Sequence, residues 1–422
     1  MNDPPRSALL THGLRPMAGR QPDEAHRVAS SLELLFDLAF VIAFSVAGSE
    51  FAHLIAEGHY QAGLFGFSLA MFAVVWAWIN FTWFASAYDT DDWLYRLTTM
   101  VQIIGVVILS LGLPALFHSL DEGDHLDLGA VVIGYVVMRV PMVVQWLRAA
   151  RQDPARRRVC RRYAFWIAGS QVLWVLYLLV DMTAVRTLMI GLPLIVIEMV
   201  GPYYAEQADG GTPWHPHHIA ERYGLLAIIA LGEVLLGTTT SLGVVLETEG
   251  WTADIALLAI GGVGLTFGLW WIYFLMPAGE VLEHRPERGF VFGYIHLVVF
   301  ASIAATGAGL HVAALAMEHD AHIDNTAVMW SIAIPVALYF VSVGGLFGYL
   351  VGWRPHLVWL TAVKIGIVFG SVALAESGLS LPVCILVLAL APAVSIVAEE
   401  LGVGERRANE IAEAIAAGDG WQ

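Results

Sequence analysis

The chain has 422 residues, of which 58% are hydrophobic and 14% charged, and its formal net charge is −16. Soluble domains carry roughly 25% charged residues and cover themselves with polar groups, so this composition excludes a soluble enzyme and a disordered chain. The excess of 37 acidic over 21 basic residues disfavours binding to nucleic acid. We therefore predict an all-α polytopic membrane protein, with the lipid bilayer as its surroundings.

The apolar stretches have the length of membrane-spanning helices, which need about 20 residues, and they far exceed the strands of a membrane barrel. In chain order they cover residues 32–55, 62–87, 94–117, 127–149, 160–181, 184–205, 218–241, 251–277, 289–315, 326–350, 355–376 and 380–400. The sequence thus predicts about twelve transmembrane helices joined by short loops. We expect residues 1–30 to be a disordered N-terminal tail and residues 403–422 to be a C-terminal tail.

Arginines predict the orientation of these helices. The loop after the fourth stretch contains Arg148, Arg151, Arg156, Arg157, Arg158, Arg161 and Arg162. With twelve spans, the N-terminal tail, Arg354 and the C-terminal tail fall on the same side as this loop. Basic loops stay inside the cell, so we predict that both termini are cytoplasmic.

Weak matches between the two halves of the chain, at an offset of about 188–193 residues, suggest an internal repeat. The matched pairs include Glu33 with Glu221, Trp78 with Trp270, and Arg96 with Arg288. We predict two parallel six-helix repeats, residues 31–207 and 208–402, related by an axis along the membrane normal. The alternative is an ordinary helical bundle with chance matches.

Ionisable residues inside the predicted spans are the candidate functional residues, because a charge in the bilayer is costly and tends to be functional or paired. They are Glu33, Asp37, Arg139, Glu198, Glu221, Arg222, Glu233, His296 and Lys364. Glu33 and Asp37 are four residues apart on one helix face, and two carboxylates so close do not both ionise easily. This spacing predicts a proton or cation site, unless each carboxylate pairs with an arginine at the helix end.

Glu233 is the most deeply placed carboxylate of the sequence. It follows Glu221 by twelve residues, which in a helix corresponds to about 18 Å, near the middle of a core of about 30 Å. We expect Glu233 either to be protonated, with a coupling role, or to form a structural pair with Arg139 or Lys364. For Lys364, the single lysine of the chain, we expect a counter-ion role, and the alternative is a lysine of depressed pKa.

Two predicted outer loops combine histidines with carboxylates. They contain His118, Asp121, Asp124 and His125 in one case, and Glu318, His319, Asp320 and His322 in the other. Such clusters can bind divalent metal, but solvated acidic loops explain them better. We therefore predict neither a metal site nor a cofactor.

Four motifs resemble the low temperature requirement protein A family of bacterial membrane proteins. They are the segment 33–41 (ELLFDLAFV), the segment 90–96 with Asp91, Asp92 and Arg96, the pair Tyr135 and Arg139, and the segment 218–233 with His218, Glu221, Arg222 and Glu233. The likeness extends over about residues 30–400. It implies a multi-spanning protein of the bacterial inner membrane and supports the special residues, but it implies no substrate.

Two functions remain open. The favoured one is a secondary transporter of an unknown small solute, coupled to protons or another small ion. In this hypothesis Glu233 and Asp37 exchange protons, and Arg139 and Lys364 hold the empty site neutral or bind an anionic substrate. The Asp91–Arg96 and Glu287–Arg288 regions act as cytoplasmic latches. The alternative is a membrane-embedded enzyme or lipid-handling factor that adjusts the envelope in the cold. No histidine-box spacing or nucleophile motif supports catalysis, and the sequence predicts no oligomeric state.

Overall fold

A computed structural model describes residues 13–21, 24, 27–123, 125–180, 184–318 and 320–418. Within these residues the chain forms helices and no strands. The α-helices are α1 (Ser31–Ala56), α2 (Tyr60–Tyr88), α3 (Trp93–Glu122), α4 (Gly129–Gln152), α5 (Arg157–Leu178), α6 (Ala184–Glu206), α7 (Pro216–Glu249), α8 (Ala253–Phe274), α9 (Ala278–His284), α10 (Gly289–Met317), α11 (Asn325–Leu350), α12 (Pro355–Glu376), α13 (Leu381–Ala398) and α14 (Gly404–Gly418).

Each of the twelve predicted stretches coincides with a helix, and the all-α class is confirmed. Ten helical segments of the described residues are long and apolar enough to cross a membrane, which makes the chain a multi-pass membrane protein. The predicted number was twelve, and α5 and α6 are not among the ten. In α5, four arginines occupy the first two turns, where a spanning helix would be apolar. The two six-helix repeats stay a prediction.

The connection between α2 and α3 shows how side chains end one helix and start the next. Asp91 has a positive φ of 47°, a conformation in which Asp and Asn are enriched. The Asp89 carboxylate accepts a hydrogen bond from the Asp91 N–H at 2.9 Å. The Asp92 carboxylate caps α3 by accepting from the Tyr95 N–H at 2.9 Å. The carboxylates of Asp89 and Asp92 thereby accept hydrogen bonds from backbone N–H groups of the connection and of the first turn of α3.

The chain divides into two compact units. Unit 1 comprises the described residues of 1–39, 77–112 and 123–215, and unit 2 comprises those of 40–76, 113–122 and 216–422. The helices α1, α2 and α3 each contribute to both units. Each unit is a group of residues in mutual contact, and the unit boundaries differ from those of the predicted repeats.

Unit 1 is held together by close packing between α3 and α4 and by aromatic stacking. A Cβ atom at Gly105 would lie only 2.7 Å from the Gly134 carbonyl oxygen, so the two helices touch through their backbones. Small residues permit such crossings in membrane proteins. Farther along α4, the Trp146 ring stacks on the Tyr163 ring of α5 with centroids 4.2 Å apart.

The described residues before α1 differ from the predicted disordered tail. Met17 is fully buried, and its N–H donates to the Gln152 side chain at 2.6 Å. The Arg20 N–H donates to the Ala87 carbonyl at 2.9 Å, and the Arg27 guanidinium donates to the Ala85 carbonyl at 2.7 Å. The segment is irregular but bound to unit 1, because it satisfies carbonyls at the end of α2. Residues 1–12, 22, 23, 25 and 26 lie outside the described residues.

Unit 2 is built around the pair α7 and α10. A Cβ atom at Gly307 of α10 would lie 2.5 Å from the Glu233 carbonyl oxygen of α7, so these helices also cross at backbone contact. The predicted C-terminal tail contains the helix α14, which is tied to the start of α12 by an ion pair of 2.9 Å between Arg354 and Glu413. Residues 419–422 lie outside the described residues.

Candidate functional site

Unit 1 contains a buried polar network on α4, α5 and α6. The Arg139 guanidinium donates to the Tyr135 hydroxyl, and that hydroxyl donates to Glu198 Oε2 at 2.7 Å. Gln171 Nε2 donates to Glu198 Oε1 at 3.1 Å. Arg139 is 2% exposed and Glu198 is 7% exposed, so this acid and base lie inside the protein rather than on its lipid face. The network brings together two predicted site residues through a tyrosine.

The same network contains two polar atoms that form no hydrogen bond with the described residues. Arg139 Nε and Gln171 Oε1 are buried without a hydrogen-bond partner among the described residues. One is a donor and the other an acceptor, and leaving such groups unpaired inside a protein costs about 1–3 kcal/mol each. The arrangement therefore suits a small polar molecule that can both donate and accept hydrogen bonds.

Glu33 and Asp37, predicted to form one carboxylate site, have different partners. Glu33 accepts from the Ser30 N–H at 2.8 Å at the start of α1. Asp37 accepts from Trp78 Nε1 at 2.6 Å and is fully buried. Both side chains have further interactions. Their role as a joint proton or cation site stays a prediction.

Glu33 belongs to a group of charges at the membrane boundary of unit 1, with Arg27 and Asp89. Burial, followed by repulsion from Arg20, lowers the pKa of Arg27, and attraction from Glu33 and Asp89 opposes this. Burial, followed by repulsion from Glu33, raises the pKa of Asp89 to about 6. The alternative of an ion pair between Glu33 and an arginine also stays a prediction.

Two neighbouring acid–arginine pairs lie at the start of α3. The predicted pair, Asp91 with Arg96, is exposed and bidentate, with both distances 2.8 Å. The pair of Asp92 with Arg148 is buried, and Arg148 Nη1 lies 3.1 Å from Asp92 Oδ1. Burial alone would raise the pKa of Asp92, but hydrogen bonds from Arg148 and two backbone N–H groups outweigh it and lower the pKa to about 2.

In unit 2, Glu233 and Lys364 lie apart from ionic partners. The half-buried Glu233 side chain forms a hydrogen bond with Ser45 of α1. The Lys364 ammonium lies 5.0 Å from the centre of the Phe340 ring, a cation–π contact. Among the described residues no carboxylate forms an ion pair with Lys364, and its counter-ion role stays a prediction.

His296 is fully buried in an aromatic cluster of unit 2. Its Nδ1 lies 2.7 Å from the Phe292 carbonyl and its Nε2 lies 2.8 Å from the Tyr273 hydroxyl. The carbonyl can only accept, so Nδ1 carries a proton and donates to it. The Tyr223 ring packs edge-on at 4.7 Å. His296 is therefore hydrogen-bonded through both ring nitrogens inside the cluster, and its functional role stays a prediction.

The remaining predicted residues lie at helix ends. His218 and Arg222 are fully buried in the first turns of α7, Glu221 is half-buried there, and all three have interaction partners. Arg288 Nη1 donates to the Tyr349 and Leu350 carbonyls, the latter at 2.7 Å, at the end of α11. A cation at a helix C-terminus is favourable, so Arg288 caps this helix.

Of the two histidine–carboxylate loops, Asp124 and His319 lie outside the described residues. His118 forms an exposed pair with Glu122 at 3.1 Å. A different set, Glu57, His59 and Asp121, places its ligand atoms within 4.8 Å of one another. Sequence spacing missed this set because Glu57 and His59 lie in the α1–α2 turn while Asp121 ends α3.

The model of the bacterial low temperature requirement A protein (LtrA) family matches residues 28–392, and this range contains the motifs around Asp37, Arg139 and Glu233. The chain is a member of this family. The suspected resemblance is therefore confirmed.

This LtrA family member is also similar to Uncharacterized protein RA0937 of Rhizobium meliloti (strain 1021). The two are 29% identical over 306 residues, which cover 67% of this chain and 68% of that protein. No solved structure matches this LtrA family member. Neither the family description nor the relative's name gives a substrate.

Proposed function

We propose that this protein is a secondary transporter that couples the movement of a small polar solute to protons. The observation that carries the proposal is the carboxyl group of Glu233, which lies within a membrane-spanning helix and has a neutral hydroxyl, that of Ser45, as its hydrogen-bond partner. Ionisable groups inside membrane spans commonly belong to proton or ion pathways.

The contrast between Glu233 and Glu198 supports this choice. Glu198 is fixed by Tyr135, Gln171 and the charge of Arg139, so a change in its protonation would leave a buried cation uncompensated. Among the described residues Glu233 forms no ion pair, so a change in its protonation breaks none.

The network in unit 1 supplies the solute-binding part of the proposal. Arg139 Nε and Gln171 Oε1 present an unused donor and an unused acceptor on a scaffold that is neutral overall. The proposed solute is therefore small and uncharged, with both an acceptor and a donor group. Asp37 and Lys364 remain proposed as further groups of the coupling pathway, and the Asp91–Arg96 pair as a latch on the side that we predict to be cytoplasmic.

The proposal is tested by proton flux in phospholipid vesicles that contain the full chain. A potassium diffusion potential drives protons inward, and an internal pH dye measures the flux. We expect Glu233→Gln to reduce the flux to that of protein-free vesicles. The matched control Glu376→Gln makes the same chemical change at an exposed position of α12 and should retain the flux. Equal flux in wild type and Glu233→Gln would contradict the coupling role.

A further inference from the structure

Unit 2 contains an apolar cavity of about 600 Å³, bounded by α1, α2, α10 and α11. Its walls include Tyr60, Phe67 and Phe72 of α2, and Trp330 and Leu338 of α11. The volume falls in the range of about 300–1,000 Å³ that is typical of small-molecule sites. No residue of the proposed transport site lines this cavity, so it requires a separate explanation.

The surroundings of the cavity indicate a hydrocarbon ligand. All four helices that line it are long and apolar enough to span the membrane. Two of its three serine hydroxyls, those of Ser68 and Ser331, donate to carbonyls of their own helices at 2.7 Å. The third, Ser302, is buried without a partner, and one hydroxyl is too little to hold a polar solute. A lipid chain from the bilayer satisfies this lining.

One end of the cavity lies at the turn between α1 and α2. Ile55 and Tyr60, on either side of this turn, both line the cavity. Tyr60 is 43% exposed, and Trp330 on α11 is 41% exposed. Tyr and Trp are enriched at the level of lipid headgroups, so these two residues mark the end nearest to the membrane surface.

The same turn carries a concentrated negative charge. His59 Nδ1 lies 2.8 Å from Asp121 Oδ1 and 3.6 Å from Glu57 Oε2, and all three side chains are exposed. The cluster presents two carboxylates and one imidazole at the turn whose flanking residues, Ile55 and Tyr60, line the apolar cavity. A primary ammonium group has the complementary charge and three N–H donors.

We propose that the cavity and this cluster together bind an aminophospholipid, with one acyl chain between α2 and α11 and the headgroup ammonium on Glu57 and Asp121. The charge of the cluster selects the ammonium headgroup over an anionic one.

The experiment uses the full chain in phosphatidylcholine vesicles that contain a small fraction of phosphatidylethanolamine with a photoactivatable diazirine in one acyl chain. After irradiation, peptide mapping by mass spectrometry locates the labelled residues. We expect saturable labelling within 60–72 and 327–338. Unlabelled phosphatidylethanolamine should compete, and unlabelled phosphatidylglycerol with the same chains should not.

Two variants fill the cavity from different walls, Ala301→Phe on α10 and Ala327→Phe on α11. Each should strongly reduce labelling in both segments, whereas the control Ala373→Phe, on an exposed face of α12, should not. The use of two walls separates loss of the site from misfolding of one variant. Labelling that is spread evenly over exposed helix faces and unchanged by both filling variants overturns the proposal.

The headgroup is tested by the double substitution Glu57→Gln and Asp121→Asn. An exposed ion pair contributes up to about 1 kcal/mol of binding free energy, which corresponds to about a fivefold change in affinity. We therefore expect the preference for the ammonium lipid to fall about fivefold. The control double substitution Glu376→Gln and Glu400→Gln removes two exposed carboxylates outside the α1–α2 turn and the loop that contacts it, and should keep the preference. Equal competition by both lipids in wild type, or labelling that requires a divalent cation, overturns the aminophospholipid assignment.

Discussion

The buried pair of Asp92 and Arg148 permits a sharp stability prediction. Asp92 is fully buried and accepts hydrogen bonds from Arg148, from the Tyr95 N–H at 2.9 Å and from the Arg15 N–H at 3.1 Å. The substitution Asp92→Asn keeps the shape and one acceptor oxygen for Tyr95. It removes the charge and turns the second acceptor into a donor group that faces other donors. We therefore expect the folded state to lose stability although the α3 cap survives.

Two estimates give the expected decrease in the free energy of unfolding of Asp92→Asn. Removing one partner of a buried ion pair costs about 3–5 kcal/mol, and the partial exposure of Arg148, 11% of its side chain, places this case at about 3 kcal/mol. Independently, lowering the pKa of Asp92 from 3.8 to about 2 corresponds to about 2 kcal/mol at neutral pH. Because the pKa is lower in the folded state, this stability is present above pH 4 and is lost as the pH falls through about 2.

The assay is unfolding of the purified chain in detergent, by SDS titration at pH 7 with helicity as the signal. The neighbouring pair supplies the control. Asp91→Asn removes the partner of Arg96 in an exposed pair, and Asn tolerates the positive φ of 47°, so we expect a change below about 1 kcal/mol. If Asp92→Asn and Asp91→Asn reduce the free energy of unfolding equally, the assignment of a buried pair is refuted.

Three further predictions concern other buried groups. The pKa of Asp89 is raised from 3.8 to about 6 in the folded state. The free energy of unfolding therefore falls by at most about 3 kcal/mol as the pH rises from 4 to 6. Asp89→Asn should therefore flatten the unfolding profile in this window, and an unchanged slope would contradict the assignment. Glu198→Gln leaves the Arg139 charge uncompensated and should cost about 3–5 kcal/mol in the same SDS assay, with Glu376→Gln as the neutral control. Gly307→Ala places a Cβ atom 2.5 Å from the Glu233 carbonyl and should lower the free energy of unfolding by about 1–3 kcal/mol. The control Gly232→Ala meets no atom within 4 Å and should be neutral. Equal effects of the two substitutions would argue against the α7–α10 crossing.

Hydropathy predicted the positions of the helices because apolar length is what membrane residence requires. It misplaced ends where polar residues continue a helix. The helix α7 runs to Glu249 although the predicted stretch stopped at 241, and α3 runs to Glu122 rather than 117. The short helix α9 (Ala278–His284) and the bound segment around Met17 were not predicted, because both depend on tertiary contacts rather than on apolar length.

The candidate residues were found more readily than their partners. Charge within an apolar stretch was enough to select Arg139 and Glu198, but their connection through Tyr135 depends on which faces of α4 and α6 meet. Lys364 was expected beside a carboxylate and contacts the Phe340 ring instead. The Asp92–Arg148 pair was not singled out, because these residues are 56 positions apart and each resembles an ordinary loop charge.

The bound N-terminal segment imposes an order on biosynthesis. Met17 binds Gln152, which is 135 positions later in the chain, and the Glu24 carbonyl binds His215, 191 positions later. At a translation rate of about 5–20 residues per second, the interval between the synthesis of Met17 and that of Gln152 is on the order of 10 seconds or longer. The segment therefore closes onto unit 1 only after α4 has been made, and its protection from protease during synthesis reports that the first four helices have assembled.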